Sequence, residues 1–578
     1  MARGLHEAGG RLAAATSSSP SSTRQSLPMP QLSSSTFFLP SIGTLGQCAP
    51  CRESRRLRYA PFFAMSFEIV SKPMGNRPQS PSIHILDDDS LLNMFYHCRP
   101  VLLDDDKTDD DTRVLLGGEW GRERWWYTLT HVCRRWRELV LSSTTHLGLC
   151  LVCTYGTPVA RMLAHSPPLP LIVDYVDQDR NMTAQDEEGI LIALWHRSRV
   201  RRIRLRLPPS DLRKLIGAID EEFPVLEHLN LGATEFNLSL TFPQKFQAPR
   251  LRYLLLKAFA FPLATPLLTT AVDLVTLSLN SIPPLTYFHP NDLLQRLSLM
   301  RRLEVLGISF HSPVLDIDFE DQPLDNTSTT NITLPNLRWF GFQGTSTYLG
   351  ALLSPMDTPL LEKLQITFFS EAIFVVPYLL QHMRTERFRF NNARFWFYEG
   401  GVAVWVFPHE GARTYSFCMH VICEPFDRQL SSMAQIFNVL RPLMSGVVHL
   451  IFQYEGHNLS SMGFHEGRCR RWRELLRSFG NVKTLRVPNG LIGELSRILD
   501  FGFDPTVEVL PKLEELVCPT RGSSGAAFSE YMRARNVAGT PVRLVRKNIP
   551  VNPPENLVDF PPSTSLRDRL GRFARLLP

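Results

Sequence analysis

From about residue 196 the chain repeats one hydrophobic pattern: an apolar residue, two variable positions, an apolar residue, one variable position, and a third apolar residue. It occurs at Val200/Ile203/Leu205, Leu226/Leu229/Leu231, Leu251/Leu254/Leu256, Leu274/Leu277/Leu279, Leu303/Leu306/Ile308, Leu337/Phe340/Phe342 and Leu361/Leu364/Ile366. It returns at Val447/Leu450/Phe452, Val482/Leu485/Val487 and Leu513/Leu516/Cys518. Each occurrence predicts a short strand followed by a helical or irregular return, as at Asp211–Ile216 and Leu293–Leu297. A strand and return of this length cannot bury an apolar face alone, so the units must stack. Between residues 370 and 446 the spacing lapses. Arg387-Phe388-Arg389-Phe390 and Ala403-Val404-Trp405-Val406-Phe407 are β-rich there, and they predict that degenerate or expanded repeats continue.

The chain before residue 176 reads differently. Ile83–Cys98 predicts a helix with Asp87 or Asp88 as N-cap, Leu91, Leu92 and Phe95 on its apolar side, and Pro100 as its stop. A second helical stripe comprises Leu129, Val132, Cys133, Trp136, Leu139 and Val140, and it sends Arg134, Arg135, Arg137 and Glu138 to the opposite face. It ends near Leu141-Ser142-Ser143. A strand at Leu149–Thr154, a helix from Val159 stopped by Pro167-Pro168, and a strand at Leu169–Asp174 follow. The heptapeptide Cys133–Leu139 recurs letter for letter at Cys469–Leu475, where it predicts the return helix of one repeat. The seven letters therefore specify only an amphipathic helix.

Charge narrows the function classes. Of the formal +6, residues 1–64 carry +5, and the remaining body is nearly neutral, with no general attraction for phosphate. That leader is rich in Ser, Pro and Arg and predicts disorder. Its acid-poor composition also fits a mitochondrial transit peptide of poor amphipathicity, and a start of translation at Met65 is a further alternative. Asp104–Asp111 holds six Asp in eight positions and predicts a solvated loop, because the ligand pattern of a calcium loop is missing. Ten scattered Cys and the lack of a secretory h-region point to a reducing intracellular compartment, cytoplasmic or nuclear.

The pairs Cys48/Cys51 and Cys150/Cys153 lie about a hundred residues apart, too separate to read as one zinc site. No phosphate loop, zincin helix, nucleophile elbow or kinase set occurs, so no enzyme, metal or cofactor is expected. The one dense basic patch, Arg197, Arg199, Arg201, Arg202, Arg204 and Arg206, lies on a strand. It predicts a basic outer face that is solvated, paired with acidic neighbours in the next repeat, or able to grip an acidic partner segment.

The Leu-Asp helix at 86–87, then Val132-Cys133-Arg134-Arg135-Trp136-Arg137-Glu138-Leu139 with Ser142-Ser143, resembles an F-box. The continuation through Met162-Leu163 and Pro168-Leu169-Pro170-Leu171 is similar to the fungal, basidiomycete group of F-box proteins. Asp87 stands where that family usually has Pro, and an acidic insertion at about 101–124 lengthens the link between the helices. The resemblance implies docking on a Skp1-like adaptor, and through it a cullin, by Leu86, Leu92, Phe95, Val132, Cys133, Trp136 and Leu139, with some of these instead forming the module's own core. The repeats, which resemble an irregular leucine-rich-repeat solenoid, would hold an unknown target protein.

The expected architecture is α+β overall. A disordered leader (1–75) precedes a small all-α F-box-like module (80–175) and an α/β leucine-rich-repeat-like solenoid (176–545). A Pro-rich linker and short basic amphipathic tail (546–578) ends the chain. The implied function is a substrate-recruiting subunit of a Skp1-cullin-F-box ubiquitin ligase. Asp87 and the long insertion motivate the alternative, a repeat-based interaction scaffold with a degenerate F-box. Neither nucleic acid nor membrane is an expected partner.

Overall fold

Period-two alternation decides which face of a strand is dry, and equal spacing lets like positions stack on one another. The computed structural model describes residues 86–98, 125–176, 181–235, 240–313, 331–383, 387–409, 412, 414–455, 466–499, 509–520 and 527–547. The leader, the acidic run at 104–111, Cys48, Cys51 and the basic tail lie outside these residues.

The described residues form a mixed α/β fold with one sixteen-stranded, mostly parallel sheet and fifteen α-helices. Its first strands are Leu151–Cys153 (β1), Leu171–Tyr175 (β2), Val200–Leu207 (β3), His228–Ala233 (β4), Tyr253–Lys257 (β5), Thr276–Ile282 (β6) and Val305–Phe310 (β7). A small separate ladder pairs Ile332–Thr333 (β8) with Met356–Asp357 (β10). It brackets Trp339–Gly344 (β9), and Lys363–Phe369 (β11) completes a series in which each strand of the large sheet pairs in parallel with the next in the chain. The sheet thus begins within the segment assigned from sequence to the all-α module, since β1 and β2 extend it.

The predicted repeat positions fall into register. Ile203, Leu229, Leu254, Leu277, Leu306, Phe340 and Leu364 are successive partners across the sheet, as are Leu205, Leu231, Leu256, Leu279, Ile308, Phe342 and Ile366. All are buried, and they merge with the apolar sides of the helices into one continuous core. Those helices include Val159–His165, Ala184–Trp195, Pro209–Ile219, Pro290–Leu297 and Ser346–Leu353. Ala184–Trp195 opens on a capping box, in which Thr183 and Asp186 satisfy each other's backbone donors.

The segment between 370 and 446 departs from the expected continuation. Arg387–Phe390 is not a strand, although Phe388 and Phe390 are buried. Asn392–Tyr398 (β12), Gly401–Phe407 (β13) and Phe417–Ile422 (β14) form an antiparallel meander inserted backwards, in the order β11-β14-β13-β12-β15. Its outer members still pair in parallel, β14 with β11 and β12 with His449–Tyr454 (β15). Parallel order then resumes through Thr484–Arg486 (β16), Glu515–Cys518 (β17) and Arg543–Arg546 (β18).

The chain must recross the meander to reach β15, and it does so with the 19-residue helix Phe426–Met444. At 1.5 Å per residue this helix spans about 28 Å, enough to cover three strands about 4.8 Å apart. Buried Gln429 near its start donates from Nε2 to the carbonyls of Tyr398 at 2.7 Å and Cys423 at 3.0 Å, pinning the hairpin end to the helix.

Candidate interaction surfaces

Among the described residues four helices precede the sheet: Asp88–His97 (α1), Trp125–Thr130 (α2), Arg134–Ser142 (α3) and Thr144–Leu147 (α4). Of the two candidate caps, Asp87 is the N-cap of α1, accepting from the Ser90 backbone N–H at 2.6 Å. Asp88 instead pairs with Arg135 at 2.7 Å, and the same guanidinium donates to the Leu86 carbonyl, tying α3 to the start of α1. Cys133 caps α3, its sulfur accepting from the Trp136 N–H. Trp126 donates from Nε1 to the Cys150 carbonyl at 3.3 Å and so joins the helices to the sheet.

The seven residues assigned to adaptor docking do not form one open patch. Phe95, 1% exposed, packs edge-on against Trp136 at 4.7 Å and serves the chain's own core, so it is not available as an outer anchor. It lies one helical turn after Leu91, which is fully buried, and that spacing turns both inward. Leu86, Leu92, Trp136 and Leu139 are half-buried and lean on the same core, and Cys133 is half-buried at the cap. Val132 alone is open, 58% exposed in the turn between α2 and α3. Met94 and Tyr96 on α1 are also exposed and were not among the expected anchors. They flank the Leu91–Phe95 stripe on its two sides, positions that the apolar pattern alone leaves undecided between core and surface.

The twin heptapeptides separate what is local from what is not. Arg134 pairs with Glu138 at 2.7 Å and Arg470 with Glu474 at 3.1 Å, the same i,i+4 contact in both copies. Cys133 caps its helix, whereas Cys469 lies inside the helix Glu466–Leu476. Trp136 is half-buried, whereas Trp472 is fully buried among Phe397, Phe426 and Phe452.

The second surface is the sheet face away from the core. On β3 it presents Arg202, Arg204 and Arg206; on β4 His228, Asn230 and Gly232; on β5 Tyr253, Leu255 and Lys257. Register sets Arg202 beside His228 and Tyr253, and Arg206 beside Gly232 and Lys257. Arg197 and Arg201 pair with Glu221 at 3.1 Å and Glu227 at 2.8 Å, and Arg199 donates to the Leu169 carbonyl. The basic stretch thus divides between pairing with the next unit and the outer face. Asp174 of β2, beside Arg204, is raised to about 6 by burial, an effect partly offset by that arginine. The His228 ring stacks on Tyr253 at 4.1 Å, and burial together with Arg202, Arg201, Arg252 and Arg204 holds its pKa down to about 3.

Farther along, the same face turns aromatic. Trp339 lies across Gly341, and a methyl group on that glycine would run into the indole. Lys363 sits over the Tyr415 ring at 4.4 Å, and Tyr415 donates to Gln365 at 2.9 Å. On the meander Trp396 stacks with Trp405 at 6.2 Å, and Tyr398 is hydrogen-bonded to His420.

Cys150 and Cys153 belong to opposite faces of the sheet, as strand alternation requires. Among the described residues no group of three His, Cys, Asp or Glu side chains is placed to hold a metal ion. No described helix is long and apolar enough to cross a membrane. No protein-family model matches the chain. No characterised protein matches it in sequence.

Proposed function

We propose that this chain is a substrate-recruiting subunit of a Skp1-cullin-F-box ubiquitin ligase, its N-terminal helices forming an F-box and its stacked repeats a leucine-rich-repeat-like solenoid. The observation that carries the reading is the set of helices within residues 88–98 and 125–147, which places exposed Val132 in the α2–α3 turn, with Met94 and Tyr96 exposed on α1. Large apolar side chains left open on a helical module are what a partner helix covers. The half-buried Trp136, Leu92 and Leu139 would lend their outer edges to the same contact. The adaptor would bring in the cullin, and the ubiquitin-conjugating enzyme would do the chemistry. This chain would contribute proximity and orientation of the target.

The test is co-purification of the full chain with a fungal Skp1 at micromolar concentration, alongside Val132→Asp combined with Met94→Asp. Retention of Skp1 by the unaltered chain and loss of about tenfold or more in affinity for the double variant, at an unchanged thermal melt, supports the reading. Failure of the unaltered chain to retain Skp1 overturns it and leaves the repeat scaffold.

A further inference from the structure

Side chains at alternate positions of a strand stand about 6.7 Å apart on one face, and neighbouring strands lie about 4.8 Å apart. Arg202, Arg204 and Arg206 occupy three successive outward positions of β3, and Lys257 stands two strands from Arg206. The stretch of outer face covering β2 to β6 carries one carboxylate among the described residues, Asp174, which is buried beside Arg204. The rest of its polar side chains are neutral: Asn230, Thr276, Ser278 and Asn280, with His228 held in its neutral form by burial and the surrounding arginines.

Between Arg206 and Lys257 the intervening strand supplies Gly232. A Cβ there would find only Lys257 Cβ at 3.6 Å and Arg206 Cγ at 3.9 Å, so the gap between the two cations has an open floor. Both cations are partly dehydrated, and Arg206 further depresses Lys257, which places the two positive charges on either side of the Gly232 gap.

We infer that the outer face of β3–β5 binds an extended, carboxylate-rich peptide segment of a partner protein, one acidic side chain seating over Gly232 between Arg206 and Lys257. An extended peptide repeats its side chains on one face at the same interval of about 6.7 Å as Arg202, Arg204 and Arg206. Cations spaced along a strand match single charges at alternate positions, whereas a phosphate dianion needs several donors converging on one point. A nucleic acid needs a continuous cationic track, and this patch ends at β5, beyond which the outer face turns to Ser278, Gly307 and Trp339. That the segment belongs to a recruited target rests on the reading above; the binding itself requires no adaptor.

The experiment is fluorescence anisotropy of the full chain with a short peptide alternating Asp and Thr. The comparisons are its Asn-for-Asp counterpart, a phosphoserine-for-Asp counterpart and a single-stranded oligouridylate. The Asp peptide should bind, the Asn peptide should not, and affinity should fall as salt rises. Arg206→Gln with Lys257→Gln should weaken binding about tenfold or more. Arg441→Gln, on the helix covering the core, should leave it unchanged. Should the double variant misfold, Gly232→Asp and Gly232→Asn decide. The aspartate places a carboxylate in the notch from within and abolishes binding, while the isosteric asparagine costs much less.

Equal binding of the Asp and Asn peptides, equal loss in Gly232→Asp and Gly232→Asn, or no effect of the double neutralisation overturns the inference. So does binding of only the phosphoserine peptide, or tighter binding of the oligouridylate. Skp1 capture, measured in parallel, separates the two readings: peptide binding without capture refutes only the ligase, and capture without peptide binding refutes only this site.

Discussion

His228 provides a quantitative test of the crowded cationic face. Its imidazole is held down to about 3 by burial and by Arg202, Arg201, Arg252 and Arg204, against about 6.5 for a histidine in an unfolded chain. The sign follows from proton binding. Below pH 6.5 the unfolded chain takes up a proton that the folded chain refuses until about pH 3, so stability falls as the solution is acidified through that window. Between pH 7 and pH 5 the loss is about 2 kcal/mol, growing to about 5 kcal/mol once the pH is below 3.

Replacing His228 with Gln removes the titrating group and retains a flat polar side chain over Tyr253. Urea denaturation of both proteins at pH 7 and pH 5 reads the effect, because an uncharged denaturant leaves the charge interactions intact. The unaltered protein should lose about 2 kcal/mol more between the two conditions than His228→Gln. Equal losses would mean that the folded state accepts the proton among four arginines, and the argument from burial and like charge would be wrong.

Three further outcomes follow from the same reasoning. Asp174, raised to about 6, gains a proton in the folded state before the unfolded chain does, so its contribution is largest in acid and is lost as pH rises through 6. Asp174→Asn should therefore forfeit about 1 kcal/mol of stabilisation between pH 7 and pH 5, opposite in sign to the His228 variant in the same urea assay. Trp472→Ala should cost about 3–5 kcal/mol and Trp136→Ala clearly less, because only Trp472 is fully enclosed; equal costs in matched denaturation curves would refute the packing distinction. Gly341→Ala should displace the Trp339 indole, cost about 1–3 kcal/mol and shift tryptophan emission to the red, and an unchanged spectrum would mean the ring does not rest on that glycine.

The ladder of Ile203, Leu229, Leu254 and their successors was legible because both the strand period and the repeat interval are written in single residues. The antiparallel meander was not, because alternation in Ala403–Phe407 announces a strand without naming its partner. A signal for it does exist: Glu399-Gly400 forms a two-residue link between β12 and β13, the length that favours a hairpin with glycine in the turn. At the helical end the stripe of α3 and the Asp87 cap were readable from local chemistry. Which of its apolar residues face outward was not, because that depends on the docking of α1 and α3. The repeated heptapeptide makes the point directly: the Arg–Glu pair is carried by the seven letters, and the burial of the tryptophan is decided by the rest of the chain. The column Arg206–Gly232–Lys257 emerges only after three repeats are aligned.

The backward meander also has a consequence for the growing polypeptide on the ribosome. Strand β11 ends at Phe369, yet its next neighbour in the sheet, β14, is complete only at Ile422. At about 5–20 residues per second, the open edge of β11 waits roughly 3–10 s for its partner, while every earlier strand waits about two-thirds as long or less. An uncovered parallel edge of apolar and aromatic residues is a template for pairing with another chain. Synthesis of this protein therefore passes through one interval of heightened aggregation risk, set by topology, and it is there that a chaperone would have most to shield.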